Sequence, residues 1–460
     1  MSIAGWWMVD GGWWIIDRDD DAVTGEWIYT LCDRRLQAGW LVSHDGNLAI
    51  ARATQKLAQL RQSLPDFIAI ATLDPIEFIS DLMAGARLGL PIFVCNPRWG
   101  TAEWERVATF TAQVSAQHHH RLMIPTGGSS GAIQFAIHSW ETLSASVWGF
   151  QEFYELDRIN AVCTLPLYHV SGLMQLWRSL LTDGKLFIID FHQLTDPTNR
   201  LLYSIDLAQY FISLVPTQLS KLLDVDIQWL SRFQTILLGG APPSLELLNR
   251  ARLAYLPLAL TYGMTETASQ VTSLKPVEFL AGNCSCGRVL PHAKIDLIPS
   301  SEDGLTSLRI EAKSLMLGYF PNLDLLTYFE PDDLGTFSNQ RVGIERQDGY
   351  LTILGRSSDK IITGGENVFP IEVMAAIMAT GLVADVWVIG VRDRYWGQAV
   401  TAIYVPQDPL VTVASLADAI GGKISNYKLP KRWICVDRIP RNSVDKVSLQ
   451  ALRAMGITGI

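Results

Sequence analysis

FIAIATLDPIEFISDLMAGARLGLPIFVC, residues 67–95, decides the fold class. Its ends, Phe67–Leu73 (FIAIATL) and Pro91–Cys95 (PIFVC), are short apolar runs that predict buried strands. The segment between them, Ile76–Leu88, predicts a helix, although Gly85 interrupts its pattern. Strand, helix, strand is α/β organisation, in which ligands sit in loops outside the carboxyl ends of strands. The alternation continues outward. Ala161–Leu165, Phe187–Ile189 and Thr235–Leu238 (TILL) predict further strands, each followed by glycine, proline or polar residues.

Further along, the texture changes. Lys294–Ile298 and Ser307–Ala312 predict short antiparallel strands, and Asp348–Gly355 (DGYLTILG) a turn followed by an alternating strand. The polar run Arg356–Lys360 (RSSDK) predicts a domain boundary. Beyond it, Pro370–Thr380 and Leu416–Ser425 read as helices, and Val383–Val391 and Val400–Val405 as strands. That is an α+β unit of about 100 residues.

Composition narrows the function. The chain has 460 residues, is 48% hydrophobic, and carries 37 basic against 46 acidic side chains, a net charge of −9. That apolar content excludes a disordered chain, and the acidic balance argues against broad nucleic-acid binding. The charge is uneven. Residues 357–460 hold 11 basic and 9 acidic side chains (+2), leaving 26 against 37 (−11) on residues 1–356. Residues 420–460 alone hold 8 against 2, or +6, which suits a small anionic partner as well as it suits a solvated basic face. Only 11 lysines are present, and none lies between Lys56 and Lys185. The longest uncharged runs, Leu122–Trp140 and Ile159–Trp177, contain proline, glycine and polar residues and predict buried strands and turns rather than a membrane span. The first residues show no basic region ahead of their apolar run, so the expectation is a cytoplasmic chain with its six scattered cysteines reduced. Cys284 and Cys286 form a lone C-x-C without a second pair to complete a zinc site. The run His118-His119-His120 predicts solvent exposure, because adjacent side chains point apart. Trp6, Trp7, Trp13 and Trp14 predict packing.

Four segments carry chemistry. Pro125–Gly131 (PTGGSSG) combines three glycines with three hydroxyl residues, a backbone that can turn its N–H groups toward one polyphosphate. It lacks the Gly-Lys-Ser/Thr of a Walker A loop, and alone it reads equally as an ordinary turn. Tyr262–Ala268 (YGMTETA), with Gly239–Pro243 (GGAPP) upstream, offers the hydroxyls of Thr265 and Thr267, the carboxylate of Glu266, and a ring at Tyr262 for a planar base. A single carboxylate beside phosphate donors is how Mg²⁺ is usually held, though a plain helix turn is the other reading. Asp333, an acid with no partner in the sequence, suits two ribose hydroxyls, and Arg356 suits nucleotide oxygens. Pro440–Val447 (PRNSVDKV) carries Lys446, which by itself reads as a solvated side chain.

The order PTGGSSG, PLYHVSG, GGAP, YGMTETA, DLG, GR…DK…GGEN, PRNSVDK resembles the adenylate-forming superfamily of acyl-CoA synthetases, luciferases and adenylation domains. The likeness covers roughly residues 120–450. It implies an α/β fold in which residues 1–356 form a large N-terminal domain of several α/β subdomains with a small β-barrel. Residues 357–460 would then form a small mobile α+β C-terminal domain. Within the superfamily, PLYHVSGL at 166–173, VPTQ at 215–218, YGMTETASQ at 262–270 and GRVLPHAKI at 287–295 resemble CoA ligases of an aromatic keto acid in menaquinone and phylloquinone biosynthesis. The resemblance implies ATP and CoA as substrates, Mg²⁺ as cofactor, small-molecule partners with no nucleic acid and no membrane span, and compatibility with a homo-oligomer. Ligases of other acids, enzymes that load carrier proteins, and non-catalytic ligand-binding relatives share these motifs.

Carried over residue by residue, Thr126, Gly127, Gly128, Ser129, Ser130 and Gly131 would cradle the ATP β- and γ-phosphates. Thr265 would contact the α-phosphate and Glu266 the Mg²⁺. Ala241, Pro242, Tyr262 and Gly263 would line the adenine site, and Asp333 and Arg356 would hold the ribose. Lys446 would bridge carboxylate and α-phosphate during adenylation. His169 would lie near the acyl pocket, Ser358 at the hinge, and Gly364, Gly365 and Glu366 on the side that forms the thioester. The chain departs from the family pattern at Ile133-Gln134, where Pro-Lys is common, so the loop lysine is absent. It departs again at Ser358, where Asp or Lys is usual.

Overall fold

The computed structural model describes residues 6–9, 12–15, 23–127, 133–196, 205–299, 306–338, 349–356, 361–363, 366–441, 447 and 451–452. The chain packs as two compact units. The first comprises residues 1–190, 264–269 and 313–327, and the second residues 191–263, 270–312 and 328–460.

The first unit opens with the hairpin β1 (Trp6–Val9) and β2 (Gly12–Ile15), then α1 (Gly25–Gln37) and α2 (Gly46–Ser63). The βαβ segment follows as β3 (Ile68–Ile70), α3 (Pro75–Leu88) and β4 (Ile92–Val94), with β3 and β4 parallel. Helix α3 begins where Asp74 accepts from the N–H groups of Ile76 and Glu77, with Pro75 supplying the preset φ of a first turn. It ends at Gly89, whose φ of 65° is left-handed. Gly85, which weakened the sequence pattern, is a packing requirement. A Cβ there would stand 2.9 Å from the Ile68 side chain and 3.0 Å from that of Ile92, so only glycine lets the helix lie this close on both strands.

After α4 (Thr101–Thr111), β5 (Arg121–Gly127) runs parallel to β4 and turns back into β6 (Ile133–Ser139), giving a sheet in the order β3-β4-β5-β6. Then come α5 (Trp140–Tyr154), β7 (Asn160–Cys163), α6 (Val170–Leu181) and β8 (Leu186–Ile188), with β7 and β8 parallel. Trp140 and Trp177 stack at 5.6 Å, joining α5 to α6 in the core. The expectation of exposure fails for one of the three histidines. His119 and His120 are exposed, but His118 is 0% exposed, with Nδ1 bonded to Ser115 and Nε2 2.9 Å from the Pro321 carbonyl.

The second unit contains α7 (Phe191–Leu194), β9 (Tyr210–Leu214), α8 (Pro216–Val225), α9 (Ile227–Leu230), β10 (Thr235–Leu238), α10 (Leu245–Leu253), β11 (Leu258–Met264), β12 (Ser269–Ser273), α11 (Pro276–Leu280) and β13 (Arg288–Val289). Strands β9, β10 and β11 are parallel, and β12 and β13 continue the sheet, antiparallel to each other. Where a small barrel is expected, β14 (Ala293–Pro299), β15 (Thr306–Ala312), β16 (Asp333–Ser338) and β17 (Tyr350–Arg356) form a four-stranded antiparallel sheet.

The last segment builds β18 (Ile361–Thr363), β19 (Glu366–Val368), α12 (Pro370–Met378), β20 (Val383–Asp393), β21 (Gly397–Pro406), α13 (Val413–Ile420) and β22 (Arg432–Cys435). Its sheet runs β19-β18-β21-β20, with β22 beside β21, over a core that includes Val373, Val388, Val400 and Leu416. The helix predicted over 416–425 is shifted toward its N-terminus, because Thr412 caps the start and Gly421-Gly422 stop it after Ile420. No helix among the described residues is long and apolar enough to cross a membrane.

Candidate active site

In the first unit, register places Gly127 opposite Ile133 and Thr126 opposite Gln134. The residues between them, 128–132, lie outside the described set, and with them the candidates Gly128, Ser129, Ser130 and Gly131. Thr126 is buried and Gln134 is exposed at the mouth of this hairpin. A lysine at Gln134 would therefore present a solvent-screened charge near the loop. Gln134→Lys is expected to shift the KM for ATP by about two- to fivefold and leave the KM for the acid unchanged, as steady-state kinetics would show.

Strand β5 packs against the short 3₁₀ turn Thr265–Thr267. This turn is held from many sides. Tyr319 Oη donates to Glu266 Oε1 at 2.7 Å, and the Met316 N–H donates to the Glu266 carbonyl at 2.8 Å. Burial and the adjacent carboxylate both raise the Tyr319 pKa, so the phenol keeps its proton and stays a donor. Ser314 Oγ donates to the Thr267 carbonyl, Ser146 Oγ to that of Ala268, and Arg178 Nη2 to Ser269 Oγ at 3.2 Å. His138 Nε2 lies 2.8 Å from the Thr265 carbonyl. The path leaves the turn through Ala268 and Ser269 at φ 49° and 89°, conformations that cost non-glycine residues energy and persist when surroundings over-determine them. The turn is a single 3₁₀ turn between two strands rather than the start of a longer helix.

His169 is the N-cap residue of α6, half-buried, with its ring 4.7 Å from that of Tyr168. Farther along α6, Arg178 is 3% exposed and lies over the Phe150 ring at 4.3 Å. Burial pulls its pKa down to about 10. Arg178, His138, Ser146, Ser314 and Tyr319 were not legible as partners of this turn. Each stands 47 to 127 residues from its partner in the turn, and no short motif contains both ends.

In the second unit, Tyr262 Oη donates to Asp333 Oδ2 at 2.8 Å, and the β16–β17 register sets Asp333 directly opposite Arg356. Asp333 therefore has a partner after all, 71 residues away, and it shares one rung of the ladder with Arg356. Ala241, Pro242 and Gly263 are exposed. Near the end of the chain, Thr363 pairs with Glu366, so Gly364 and Gly365, outside the described residues, are the connection between β18 and β19. Ser358 and Lys446 also lie outside the described set. Arg441 and Val447, which flank 442–446, pair antiparallel. Arg441 reaches both Asp385 oxygens at 3.0 and 3.1 Å, and Val447 packs against a cluster that includes Ile389 and Ile403.

A parallel α/β scaffold whose strand β5, leading into the Gly/Ser segment, packs against an oxygen-bearing turn suits a nucleotide site. Residues 100–320 match the family model described as AMP-binding enzyme, and residues 372–446 match the AMP-binding enzyme C-terminal domain. The chain is 32% identical over 328 residues to the 2-succinylbenzoate–CoA ligase of Bacillus licheniformis, covering 70% of this chain and 66% of that one. It is 30% identical over 329 residues to the ligase of the same name from Listeria monocytogenes, covering 71% and 68%. The chain belongs to the AMP-binding enzyme family. The alignments span 66% and 59% of the Bacillus licheniformis and Bacillus subtilis ligases, less than two thirds of their length. The fold matches the solved o-succinylbenzoate CoA synthetase of Bacillus subtilis in complex with its acyl-adenylate intermediate. That match has a TM-score of 0.78 and 23% identity over 92% of this chain and 97% of that one. The Bacillus subtilis enzyme with ATP and magnesium ion matches with a TM-score of 0.77 at 23% identity, over 92% and 99%.

Proposed function

We propose that this chain is an AMP-forming acid–thiol ligase that joins 2-succinylbenzoate to CoA, in the cytoplasm, for menaquinone or phylloquinone biosynthesis. The observation that carries the reading is the packing of β5, which leads into the Gly/Ser loop, against the turn that holds Glu266. The names of the aligned ligases supply the acid.

A carboxylate is a poor electrophile because its leaving group would be oxide. In the first step a carboxylate oxygen attacks the α-phosphorus of ATP and pyrophosphate departs. In the second the CoA thiol loses its proton, its sulfur attacks the acyl carbon, and AMP departs. Such chemistry asks the protein for positioning and charge stabilisation rather than a covalent intermediate on a side chain. Thr126, Gly127 and the loop at 128–131 bind the phosphates, and Thr265 holds the α-phosphate. Tyr262, Asp333 and Arg356 orient the nucleoside, with Ala241, Pro242 and Gly263 beside the base. The turn offers a carboxylate and a hydroxyl, a hard oxygen donor set that fits Mg²⁺, with Glu266 as its ligand. When bound, that ion neutralises phosphate charge. His169 borders the acyl site. The target acid keeps a second carboxylate on its ring, and the buried guanidinium of Arg178 suits it, since a second anion offsets the desolvation that burial imposes.

The two half-reactions need different groups at one place, so residues 357–460 act as a mobile domain pivoting at Ser358 after the body 1–356. The family matches fall on either side of that joint, at 100–320 and 372–446. Lys446 serves adenylation; Gly364, Gly365 and Glu366 serve thioester formation.

The deciding experiment is ATP–pyrophosphate exchange with Mg²⁺ over a panel of acids, followed by product analysis with and without CoA. 2-Succinylbenzoate is expected to give the highest kcat/KM, the analogue lacking the ring carboxylate at least about tenfold less, and CoA to be required for turnover. A different best acid, or transfer to a carrier protein instead of CoA, overturns the substrate assignment. No AMP production with any acid of the panel leaves only a ligand-binding role.

A further inference from the structure

His138 is absent from every motif that suggested the site, yet it joins the site's two phosphate-facing elements. It sits on β6, the returning strand of the loop-bearing hairpin, and is 0% exposed. Its Nε2 lies 2.8 Å from the Thr265 carbonyl oxygen, and its Nδ1 lies 3.1 Å from Thr142 Oγ1. A carbonyl only accepts, so Nε2 carries the proton and donates to Thr265. Nδ1 is then the bare nitrogen and accepts from the Thr142 hydroxyl, whose single proton it shares with the Ser139 carbonyl at 3.0 Å. Thr142 is fixed in turn, because it closes the capping box at the start of α5 with Ser139. The ring is a strut from the first turn of α5 to the first residue of the Thr265–Thr267 turn.

We propose that His138 is a positioning residue for adenylate formation, setting the Thr265 peptide so that the Thr265 hydroxyl and Glu266 carboxylate face the phosphates; this rests on the function proposed above. Two observations separate that role from general packing. The rest of the turn is held independently by Tyr319, the Met316 N–H, Ser314 and Ser146, so loss of one strut leaves the turn folded. The Thr265 carbonyl also keeps a bond from the Ala268 N–H at 3.0 Å, so removing the ring does not orphan it. Burial pushes the His138 pKa down to about 4, which keeps the ring in the neutral form this geometry requires.

The test compares His138→Leu, His138→Gln and Thr142→Val in the full chain. A glutamine amide can reach the Thr265 carbonyl; leucine cannot donate. Calorimetric titration with ATP and Mg²⁺, without any acid, is expected to show affinity about tenfold weaker in His138→Leu and within about threefold of wild type in His138→Gln. In exchange assays the leucine variant loses about 10- to 100-fold in kcat, the glutamine variant recovers most of it, and Thr142→Val falls between them. Thioester formation from supplied acyl-adenylate stays within about threefold throughout. Leucine and glutamine variants equally impaired, no change in either readout, or equal loss in both half-reactions overturns the proposal. If the leucine variant does not fold, a Thr142→Val variant with wild-type nucleotide affinity and kcat overturns it as well. The calorimetric arm needs no acid, so an error in the assigned acyl substrate leaves this test standing.

Discussion

Lys446→Ala is expected to abolish acyl-adenylate formation, with a loss of about 10²–10³ or more in exchange rate, and to spare thioester formation from supplied acyl-adenylate. The reason is where charge builds up. As the carboxylate approaches the α-phosphate, two anions are forced together, and one ammonium bridging them is worth most at that moment. A contact stronger in the transition state than in the ground state appears in kcat. Lysines that could replace it are few. No lysine lies between Lys56 and Lys185, and the phosphate loop carries Gln134 where a lysine is common. The described residues flanking 442–446 are anchored, Arg441 by its pair with Asp385 and Val447 in an apolar cluster. Equal loss in both half-reactions would remove Lys446 from this step.

Glu266→Gln should cost about as much, on the order of 10²–10³ in exchange rate, with a raised Mg²⁺ requirement. Glutamine keeps the shape of the side chain and an oxygen that can still accept from the Tyr319 phenol, so the turn stays in place. What it loses is the negative charge that pairs with a hard cation. Exchange kinetics against Mg²⁺ concentration, beside thermal unfolding, separates the two effects. The expected result is a shifted Mg²⁺ dependence at nearly unchanged Tm. Unchanged Mg²⁺ dependence would show that the carboxylate serves the fold instead.

Much of this molecule is legible along the chain, because its signals are local. The strand–helix–strand of 67–95 follows from apolar runs punctuated by Asp74-Pro75 and Gly89, each acting on its own neighbours. The antiparallel pair near 294–298 and 307–312 follows the same logic. So do the glycine-rich and hydroxyl-rich segments whose order marks the family. Boundaries were less legible. The helix predicted over 416–425 stops at Ile420, where Gly421-Gly422 end it.

The sequence by itself determined the α/β class, the family and the candidate residues for a nucleotide site, since each depends on short stretches of backbone and side chain. Only the tertiary structure decided which groups hold those residues in place. His118 looked like one of three exposed histidines, yet it is buried because its acceptor is a carbonyl 203 residues away. Asp333 looked unpartnered, yet it receives the Tyr262 phenol. Gly85 looked like a flaw in a helix and is the reason the helix fits its strands. The Thr265–Ser269 turn owes its shape to His138, Ser146, Arg178, Ser314 and Tyr319, whose contacts exist only once distant segments pack together. Hydrogen bonds act over about 3 Å whatever the separation along the chain, so periodicity and spacing carry no trace of them.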